Sequence, residues 1–569
     1  MQTSARVALV AVGMAMASLA ACTARLLPAD TVSTPVSSPS VAVRSATPPP
    51  ARSLTPAADP HPAVPAQGPR RSESPVASAR PGADFNGDGY ADLAVAKSVS
   101  VHGDTFGTGR GLVQVLHGSP RGFTPTGSQQ WARVDMGGAT RPDAFGRSLS
   151  YGDFDGDSFA DLVVSDPGVS EERFGQGDVT VLYGSANSLS LARMQTWSLD
   201  SPGIRGRAAE GDGFGDAVAS GDFDGDDRDD LAIGVPGRGG SGAVLVLYGQ
   251  RDGLSARSAQ TWSRKSAGLQ GGLAPDADFG RSLVAGDFDG DDRDELAVGA
   301  PYDTVEGHEG AGSLYVLRGG DDGLTSAGVQ HWTAGRGGLQ GQPSESGGFG
   351  QVLAVGSFSG SGHLDLAVGC PAWSSIDTGG AGSVHVLYGS DRGLTAAGNQ
   401  LWTQYELGTR QIAESGDPPE DSPRFGAALV VADFGRGAAD DLVIGVPEAN
   451  PPGGASGAVQ VLYGSHSGLT AAGSRQLSQS SPGIKGFDFT ESLFGTSLSA
   501  LPATTSQEYA TLVVGAPWYG GEDEAVRFGI LQLIRGSERG LTASGDKIVA
   551  ASSYPQQPVG EEFGSAVTS

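Results

Sequence analysis

Short apolar runs broken by glycine-rich turns recur along the chain from residue 84 to its last residue. The runs are short and rich in β-branched and aromatic residues, which is typical of β-strands. No segment of this region shows the 3.6-residue periodicity of an amphipathic helix. The pattern therefore predicts an all-β protein built from many short strands.

Three sequence marks recur in a fixed order and define a repeat. A Phe-Gly pair returns every 65–76 residues, a VLYG-type strand leads into a GLT-type turn, and an acidic loop of the type DFDGDDRDD leads into a strand of the type LAIGVP. A looser fourth mark, Gln-x-Trp, brings each unit to about four strands. The Phe-Gly pairs begin at Phe145, Phe214, Phe279, Phe349, Phe425, Phe494 and Phe563.

Four-stranded units of this length, repeated seven times, predict a seven-bladed β-propeller, with an open solenoid of such sheets as the alternative. The chain ends favour the ring. The first unit starts at its acidic loop, Asp84, without a preceding Phe-Gly strand, and residues 563–569 form a Phe-Gly strand without a following loop. If that strand joins the first unit, blade one is completed from both ends of the chain and no sheet edge stays exposed.

The repeat resembles a known family. Phe-Gly pairs alternate with Gly-Ala-Pro, as at Gly299-Ala300-Pro301 and Gly515-Ala516-Pro517, and DxDxDGxxD-like loops stand between them. This combination resembles the FG-GAP repeat of integrin α-subunit heads over residues 84–569. The resemblance implies a seven-bladed propeller with calcium in its loops and with ligands on the opposite face. It implies no partner subunit, because the chain looks like a stand-alone bacterial version.

Four of the acidic loops carry oxygen-bearing side chains at positions 1, 3, 5 and 9, and the carbonyl oxygen of position 7 is expected to point inward. Calcium takes six to eight oxygen ligands, and alternate residues of a tightly wound loop converge on one point. We therefore predict about four calcium sites. The predicted ligands are Asp84, Asn86, Asp88, Tyr90 and Asp92 in loop one; Asp153, Asp155, Asp157, Phe159 and Asp161 in loop two; Asp222, Asp224, Asp226, Arg228 and Asp230 in loop three; and Asp287, Asp289, Asp291, Arg293 and Glu295 in loop four.

Two other interpretations of these loops are weaker. An EF-hand needs Glu at position 12 and a helix after the loop, whereas here position 12 is apolar and a strand follows. Acidic turns without a metal leave three or four carboxylates to repel one another in each loop. The remaining loops are poorer: loop five has Ser357, Ser359 and Ser361, loop six has glycines at positions 3 and 5, and loop seven has no acid at positions 1, 3, 5 or 9. Hydroxyl hydrogen bonds are expected to hold these three turns.

The first 21 residues are predicted to be a lipoprotein signal peptide. Arg6 precedes an apolar run, Val7 to Leu19, of about thirteen residues, which is too short to span a bilayer. The sequence Leu19-Ala-Ala-Cys22 resembles the bacterial lipobox, which implies lipidation of Cys22; an ordinary secretory signal is the alternative. Residues 22–83 contain no Phe, Trp or Tyr and predict a disordered Pro/Ala/Ser tether. We expect the protein to be exported, and either anchored by lipid to the outer face of the cell membrane or secreted.

The net charge, the cysteine count and the sequence motifs limit the classes of function that we expect for this chain. A net charge of −27 argues against a nucleic-acid partner, and two cysteines cannot form a disulfide framework. The sequence contains no HExxH, G-x-S-x-G or P-loop motif, so no enzyme is predicted. We expect a monomeric, calcium-binding adhesion module at the cell surface that binds an unknown protein or glycan. The alternatives are a glycan- or phospholipid-active hydrolase and a propeller lectin.

Other candidate residues have simpler interpretations. Cys370 and His385 lie within strand patterns, where a place in the core is expected. The segment 405–423 lacks every repeat mark and is a candidate recognition loop. One tryptophan per blade could form a sugar-stacking ring, but its constant register favours blade packing. The tryptophans are Trp131, Trp197, Trp262, Trp332 and Trp402.

Overall fold

The computed structural model describes the repeat region with several gaps. The described residues are 82–99, 110–120, 122–123, 127–137, 144–168, 177–269, 276–372, 381–409, 423–451, 457–486, 492–503, 509–517, 529–550 and 561–568. The predicted signal peptide, Cys22 and the tether lie outside these residues, as does most of the segment 405–423. In the described part, no helix is both long enough and apolar enough to cross a bilayer.

The strands form seven four-stranded antiparallel sheets, one for each predicted blade. Blade one contains β1 (Leu93–Val99), β2 (Arg110–Leu116) and β3 (Gln129–Ala132). Blade two contains β4 (Leu149–Gly152), β5 (Asp161–Asp166), β6 (Asp178–Leu182) and β7 (Met194–Trp197), and blade three contains β8 (Val218–Gly221), β9 (Asp230–Val235), β10 (Ala243–Tyr248) and β11 (Ser255–Trp262). Blade four contains β12 (Ser282–Gly286), β13 (Glu295–Ala300), β14 (Ser313–Arg318) and β15 (Thr325–Trp332), and blade five contains β16 (Val352–Gly356), β17 (Asp365–Cys370), β18 (Ser383–Tyr388) and β19 (Thr395–Trp402). Blade six contains β20 (Ala428–Ala432), β21 (Asp441–Val446), β22 (Ala458–Tyr463) and β23 (Thr470–Leu477), and blade seven contains β24 (Ser497–Leu501), β25 (Thr511–Ala516), β26 (Ile530–Arg535) and β27 (Thr542–Ala550). The only helical elements described are short 3₁₀ turns, at Arg133–Met136, Leu191–Arg193 and Arg238–Gly240.

The last strand of the chain, β28 (Glu561–Thr568), completes blade one by pairing with β1. The first strands of adjacent blades contact one another in sequence around the ring, and β28 contacts both β24 and β4. The ring is therefore closed, which confirms the predicted seven-bladed propeller and excludes an open solenoid. Blade one draws on both ends of the repeat region, so no first strand faces an empty edge.

The Phe-Gly and Gly-Ala-Pro marks meet between blades. A Cβ on Gly234 of blade three would lie 2.0 Å from the carbonyl oxygen of Gly280 in blade four, so only glycine fits there. A Cβ on Gly515 of blade seven would lie 2.4 Å from the carbonyl oxygen of Gly564 in β28. The closing seam therefore uses the same close backbone approach as an internal junction.

Hydrophobic packing also follows the blade junctions, with one buried cluster between each pair of adjacent blades. In blades two to six, every residue of the second strand is buried, which explains the unbroken apolar runs. The five Gln-x-Trp tryptophans lie in or against these clusters, so blade packing accounts for them. Cys370 and His385 are likewise completely buried, as predicted.

A tyrosine and a glutamine of one blade hold the turn of the next, an arrangement that we call the inter-blade clamp. The Tyr248 hydroxyl accepts a hydrogen bond from the Leu324 N–H (3.0 Å) and donates one to Gln260 Oε1 (2.8 Å). The ring covers Gly323, where a Cβ would lie 2.0 Å from the tyrosine oxygen. The clamp gives a physical reason for the tyrosine of VLYG, the glycine of GLT and the glutamine of Gln-x-Trp.

Candidate metal-binding loops

In blades two to seven the acidic loop joins the first strand to the second strand, and in blade one it leads into the second strand, β1, because the first strand, β28, comes from the other end of the repeat region. Because all blades have the same strand order, these loops lie at one end of the propeller. The loops also link neighbouring blades. The backbone carbonyl oxygen at position 1 of one loop accepts a hydrogen bond from the backbone N–H at position 8 of the next loop. Asp153 accepts in this way from Asp229 (2.9 Å), and Asp222 accepts from Asp294 (2.8 Å). Each loop is therefore part of a blade junction.

The carboxylate at position 1 winds the loop around itself. In loop three, Asp222 accepts hydrogen bonds from the N–H groups of Gly225 (2.7 Å), Asp226 (3.2 Å) and Asp227 (3.0 Å). Asp153 and Asp287 make the same three contacts in loops two and four. Glycine at position 4 has a positive φ, 74° at Gly225, which a side chain would disfavour.

This winding gathers carboxylates into three groups whose oxygens lie within 4.8 Å of one another. Loops two and three bring together positions 1, 3 and 9, whereas loop four brings together positions 1, 3 and 5. Each group could hold a metal ion. The groups are Asp153, Asp155 and Asp161; Asp222, Asp224 and Asp230; and Asp287, Asp289 and Asp291.

Loop one differs, and its carboxylates do not form such a group within the described residues. Position 3 is an amide, Asn86, and its oxygen accepts the N–H of Asp88 (2.9 Å). The imidazole of His117 lies 3.1 Å from Asp92 through Nδ1. The hydrogen bond to Asp92 raises the pKa of His117. The four predicted loops are therefore not equivalent.

Position 9 has a structural role that the sequence did not reveal. Asp230 accepts hydrogen bonds from the N–H of Phe223 (2.9 Å) and of Gly249 (2.8 Å), and so joins its loop to the turn after the third strand. Asp441 of loop six makes the equivalent two contacts although that loop lacks acids at positions 3 and 5. This acid therefore joins its loop to the turn after the third strand both in loops with many acids and in a loop with few.

Burial makes the position-9 acids Asp161, Asp230 and Asp441 hard to ionise. It raises the pKa of Asp161 and of Asp230 to about 8, with smaller contributions from the neighbouring carboxylates. Burial also raises the pKa of Asp441 to about 7. The raised pKa therefore also occurs in loop six, which has few acids. It indicates that position 9 is buried and does not indicate a metal site.

Position 3 of loop three is more informative. Asp224 Oδ1 is buried and has no hydrogen-bond partner among the described residues. Burial first, and then Asp226 and Asp222, raise the pKa of Asp224 to about 6. A buried carboxylate oxygen costs free energy unless it has a partner, and a cation among these three acids would supply one.

Arginines approach three of the loops, and sequence spacing did not indicate them. Arg193 donates to Asp155 of loop two (2.5 Å), Arg228 pairs with Asp226 within loop three, and Arg318 pairs with Asp289 of loop four. Arg193 comes from the 3₁₀ turn before β7, and Arg318 comes from the end of β14. A guanidinium at position 3 competes with a metal ion for the same carboxylate.

Loop five behaves as predicted, whereas loop six, residues 433–441, contains no hydroxyl and is held by the carboxylates of Asp433 and Asp441. In loop five the Ser359 hydroxyl and N–H both donate to Asp365 (3.2 and 3.1 Å). A hydroxyl contact therefore holds this turn. The position-12 residues Val95, Val164, Ile233 and Val298 are buried in strands, which excludes the EF-hand arrangement.

Neither strand candidate for reactive chemistry gains support. Burial raises the pKa of the Cys370 thiol to about 12, so little thiolate is present near neutral pH. Burial lowers the pKa of His385 to about 4. Both side chains are core residues of blade five.

Comparison with known proteins agrees with the repeat and the fold. The FG-GAP repeat family matches residues 77–116, 145–182, 214–247 and 279–317. The chain is similar to integrin alpha-PS2 of Drosophila melanogaster, with 32% identity over 223 residues, which is 38% of this chain and 14% of that protein. It is also similar to phosphatidylinositol-glycan-specific phospholipase D, with 31% identity over 245 residues for the rat protein and 30% over 271 residues for the human protein.

These relatives are much longer than the matched region. The matches span 43% and 47% of this chain, but only 27% and 29% of the rat and human phospholipases. The shared part therefore carries the repeat, and the activity of a whole relative does not follow from it.

Proposed function

We propose that this FG-GAP repeat β-propeller is a calcium-stabilised binding module that works outside the cell. The observation that carries the proposal is that three clusters of carboxylates lie in the same loop of three consecutive blades, blades two to four. Similarity to an integrin α chain supports a binding role for the propeller. A cation in each loop would offset the repulsion among carboxylates that the fold brings together.

Calcium suits these loops better than other common metals. The donor atoms are carboxylate, amide and backbone oxygens, and histidine or cysteine does not enter the three groups. Calcium accepts six to eight oxygens in a flexible geometry, whereas magnesium requires a near-ideal octahedron. We propose four sites, one in each of loops one to four.

The four sites should differ in their affinity for calcium. Among the described residues, Asp224 of loop three and Asp289 of loop four both have a buried oxygen without a hydrogen-bond partner. Asp289 forms an ion pair with Arg318, and the equivalent Asp155 forms one with Arg193, whereas no arginine pairs with Asp224 in the described part of the chain. Loop one has an amide instead of a carboxylate at this position. Loop three is therefore proposed to be the tightest site.

Calcium titration of the metal-free full-length protein tests this proposal. At calcium concentrations ten times the dissociation constant, one site adds about 1.4 kcal/mol to the free energy of unfolding. Asp224→Asn keeps the side-chain shape and removes the charge, so it should abolish the tightest site in calorimetry and lower the calcium-dependent gain in thermal stability by about a quarter. Magnesium should restore stability poorly after chelation.

Ser359→Ala is the matched control, because it alters the same position 3 in loop five. It should leave the number of calcium sites unchanged. A melting curve that does not respond to a chelator would refute the calcium proposal. A loss of calcium in the Ser359 variant equal to that in the Asp224 variant would show that the sites are wrongly assigned.

The export route needs its own experiment, because residues 1–81 lie outside the described part of the chain. We propose that Cys22 is lipidated and holds the propeller at the outer face of the cell membrane. Cys22→Ala should release the protein from the membrane fraction or block removal of the signal peptide. An unchanged membrane fraction for this variant would contradict lipid anchoring.

The proposed ligand is a surface protein or a glycan. Binding of the calcium-loaded protein to arrays of both kinds distinguishes adhesion to proteins from a lectin activity. The similarity to phosphatidylinositol-glycan-specific phospholipase D favours one second candidate, a phospholipid- or glycan-active hydrolase. Turnover of phosphatidylinositol-glycan by the purified chain, abolished by a point substitution, would establish the hydrolase and refute the binding module.

A further inference from the structure

The residue at position 8 of an acidic loop contacts the preceding loop. Asp294 of loop four holds both peptide groups of Asp222 in loop three: its N–H donates to the Asp222 carbonyl oxygen (2.8 Å), and its carboxylate accepts from the Asp222 N–H (3.0 Å). Asp229 of loop three holds Asp153 of loop two through the same two hydrogen bonds, each 2.9 Å long. We call this pair of hydrogen bonds the position-8 contact.

Other junctions have only the backbone half of this contact. Position 8 is Ala160 in loop two and Leu364 in loop five. Their N–H groups donate to the carbonyl oxygens of Asp84 and Asp287 (3.1 Å each), but neither side chain contains a hydrogen-bond acceptor. Loops two and three therefore receive a carboxylate from the next blade at position 8, whereas loops one and four do not.

The carboxylate can approach because a glycine precedes the loop that it holds. A Cβ on Gly221 would lie 2.8 Å from Asp294 Oδ2, and a Cβ on Gly152 would lie 2.8 Å from Asp229 Oδ2. A side chain at either glycine would push the acid away from the backbone that it accepts from. The glycine before each of these loops therefore belongs to the position-8 contact.

The position-8 contact acts on the residue that organises a proposed calcium site. The side chain of Asp222 accepts three N–H groups of its own loop and lies in one carboxylate group with Asp224 and Asp230. Its direction depends on its backbone, which Asp294 holds at both the N–H and the carbonyl oxygen. A ligand that is fixed before the metal arrives loses less conformational freedom on binding.

We propose that Asp294 and Asp229 are positioning residues for calcium, Asp294 for the site in loop three and Asp229 for the site in loop two. Neither belongs to the three carboxylate groups, and each acts through the backbone of the position-1 acid in the preceding loop. The inference rests on the proposed calcium sites and deepens them, because the affinity of one loop then depends on a residue of the next blade.

Calcium calorimetry with full-length Asp294→Ala tests the inference. Alanine already occupies position 8 of loop two as Ala160, so the variant should fold. It should weaken the loop-three site about tenfold, as is common when a residue that hydrogen-bonds to a metal ligand is removed. Asp294→Asn keeps an oxygen that can accept the Asp222 N–H and removes the charge, so it should retain most of the affinity. Equal losses in the two variants would refute positioning, because charge alone would then explain them.

A double variant shows which site is affected. Asp224→Asn removes the proposed loop-three site, so adding Asp294→Ala to it should cause no further loss of calcium affinity. A further loss of the same size as in the single Asp294 variant would place the effect in another loop and contradict the inference.

Asp440→Ala is the matched control. Asp440 makes the position-8 contact with Ser357 (2.9 and 2.8 Å), but loop five is not a proposed calcium site. Both alanine variants should lower the melting temperature in chelator, and only Asp294→Ala should weaken calcium binding. Equal weakening in the control, or none in Asp294→Ala, would refute the inference alone. Absence of calcium binding by the natural protein would instead refute the proposed function, and the inference with it.

Discussion

A buried histidine in blade five gives a pH dependence that can be worked out from the structure. His385 is completely buried, its ring packs edge-on against Phe349 with centroids 5.2 Å apart, and neither ring nitrogen has a hydrogen-bond partner among the described residues. Burial alone lowers its pKa from 6.5 to about 4. The folded protein therefore keeps this ring neutral at pH values where the unfolded chain protonates it.

The sign and size of the effect follow from proton linkage. Between pH 6.5 and 4 the unfolded state binds more protons than the folded state, so stability is fully present above pH 6.5 and falls as the solution becomes more acidic. With these two pKa values, lowering the pH from 7 to 5 costs the folded state about 2 kcal/mol at this residue. The loss levels off below about pH 4, where both states are protonated.

His385→Leu tests this reasoning, because leucine already occupies the equivalent third-strand position as Leu245 of blade three. Urea unfolding at pH 7 and pH 5 should show that the stability of the variant relative to the natural protein rises by about 2 kcal/mol in acid. His466→Gln, at an exposed position, is the control and should show no such change. A difference between variant and natural protein that is independent of pH would refute the argument.

Three further predictions concern the ring and its loops. Tyr248→Phe removes the clamp hydroxyl and leaves the Leu324 N–H without its partner, which should lower the free energy of unfolding by about 1–3 kcal/mol; an unchanged urea midpoint would contradict the clamp. Deleting residues 561–569 should expose β1 and lower the melting temperature far more than deleting the tether; equal melting temperatures would argue against closure as a stabilising contact. Arg318→Gln should tighten calcium binding in loop four by freeing Asp289; calorimetry that shows unchanged affinities would show that the arginine does not compete.

The placement of the four predicted loops could be derived from the sequence, but the composition of each carboxylate group could not. Spacing indicated positions 1, 3, 5 and 9 equally, whereas the fold gathers positions 1, 3 and 9 in loops two and three and positions 1, 3 and 5 in loop four. A further signal was available in loop six, where Asp441 persists although its neighbouring acids are lost. Such persistence indicates a structural role, and the hydrogen bonds of Asp441 to Phe434 and Gly464 provide it.

The sequence by itself determined the strands, the number of blades and the closure of the ring. Each of these depends on a local pattern of apolar runs and glycine turns. Because the pattern occurs seven times in one chain, it can be recognised without a structure. Only the tertiary structure decided which side chains meet across a blade junction. Arg318 is distant in sequence from Asp289, and Arg535 and Lys547 are more than 400 residues from Phe123, yet the folded ring places each set together. Such contacts depend on how strand ends fold back and how neighbouring blades align, and a periodic pattern carries no information about either.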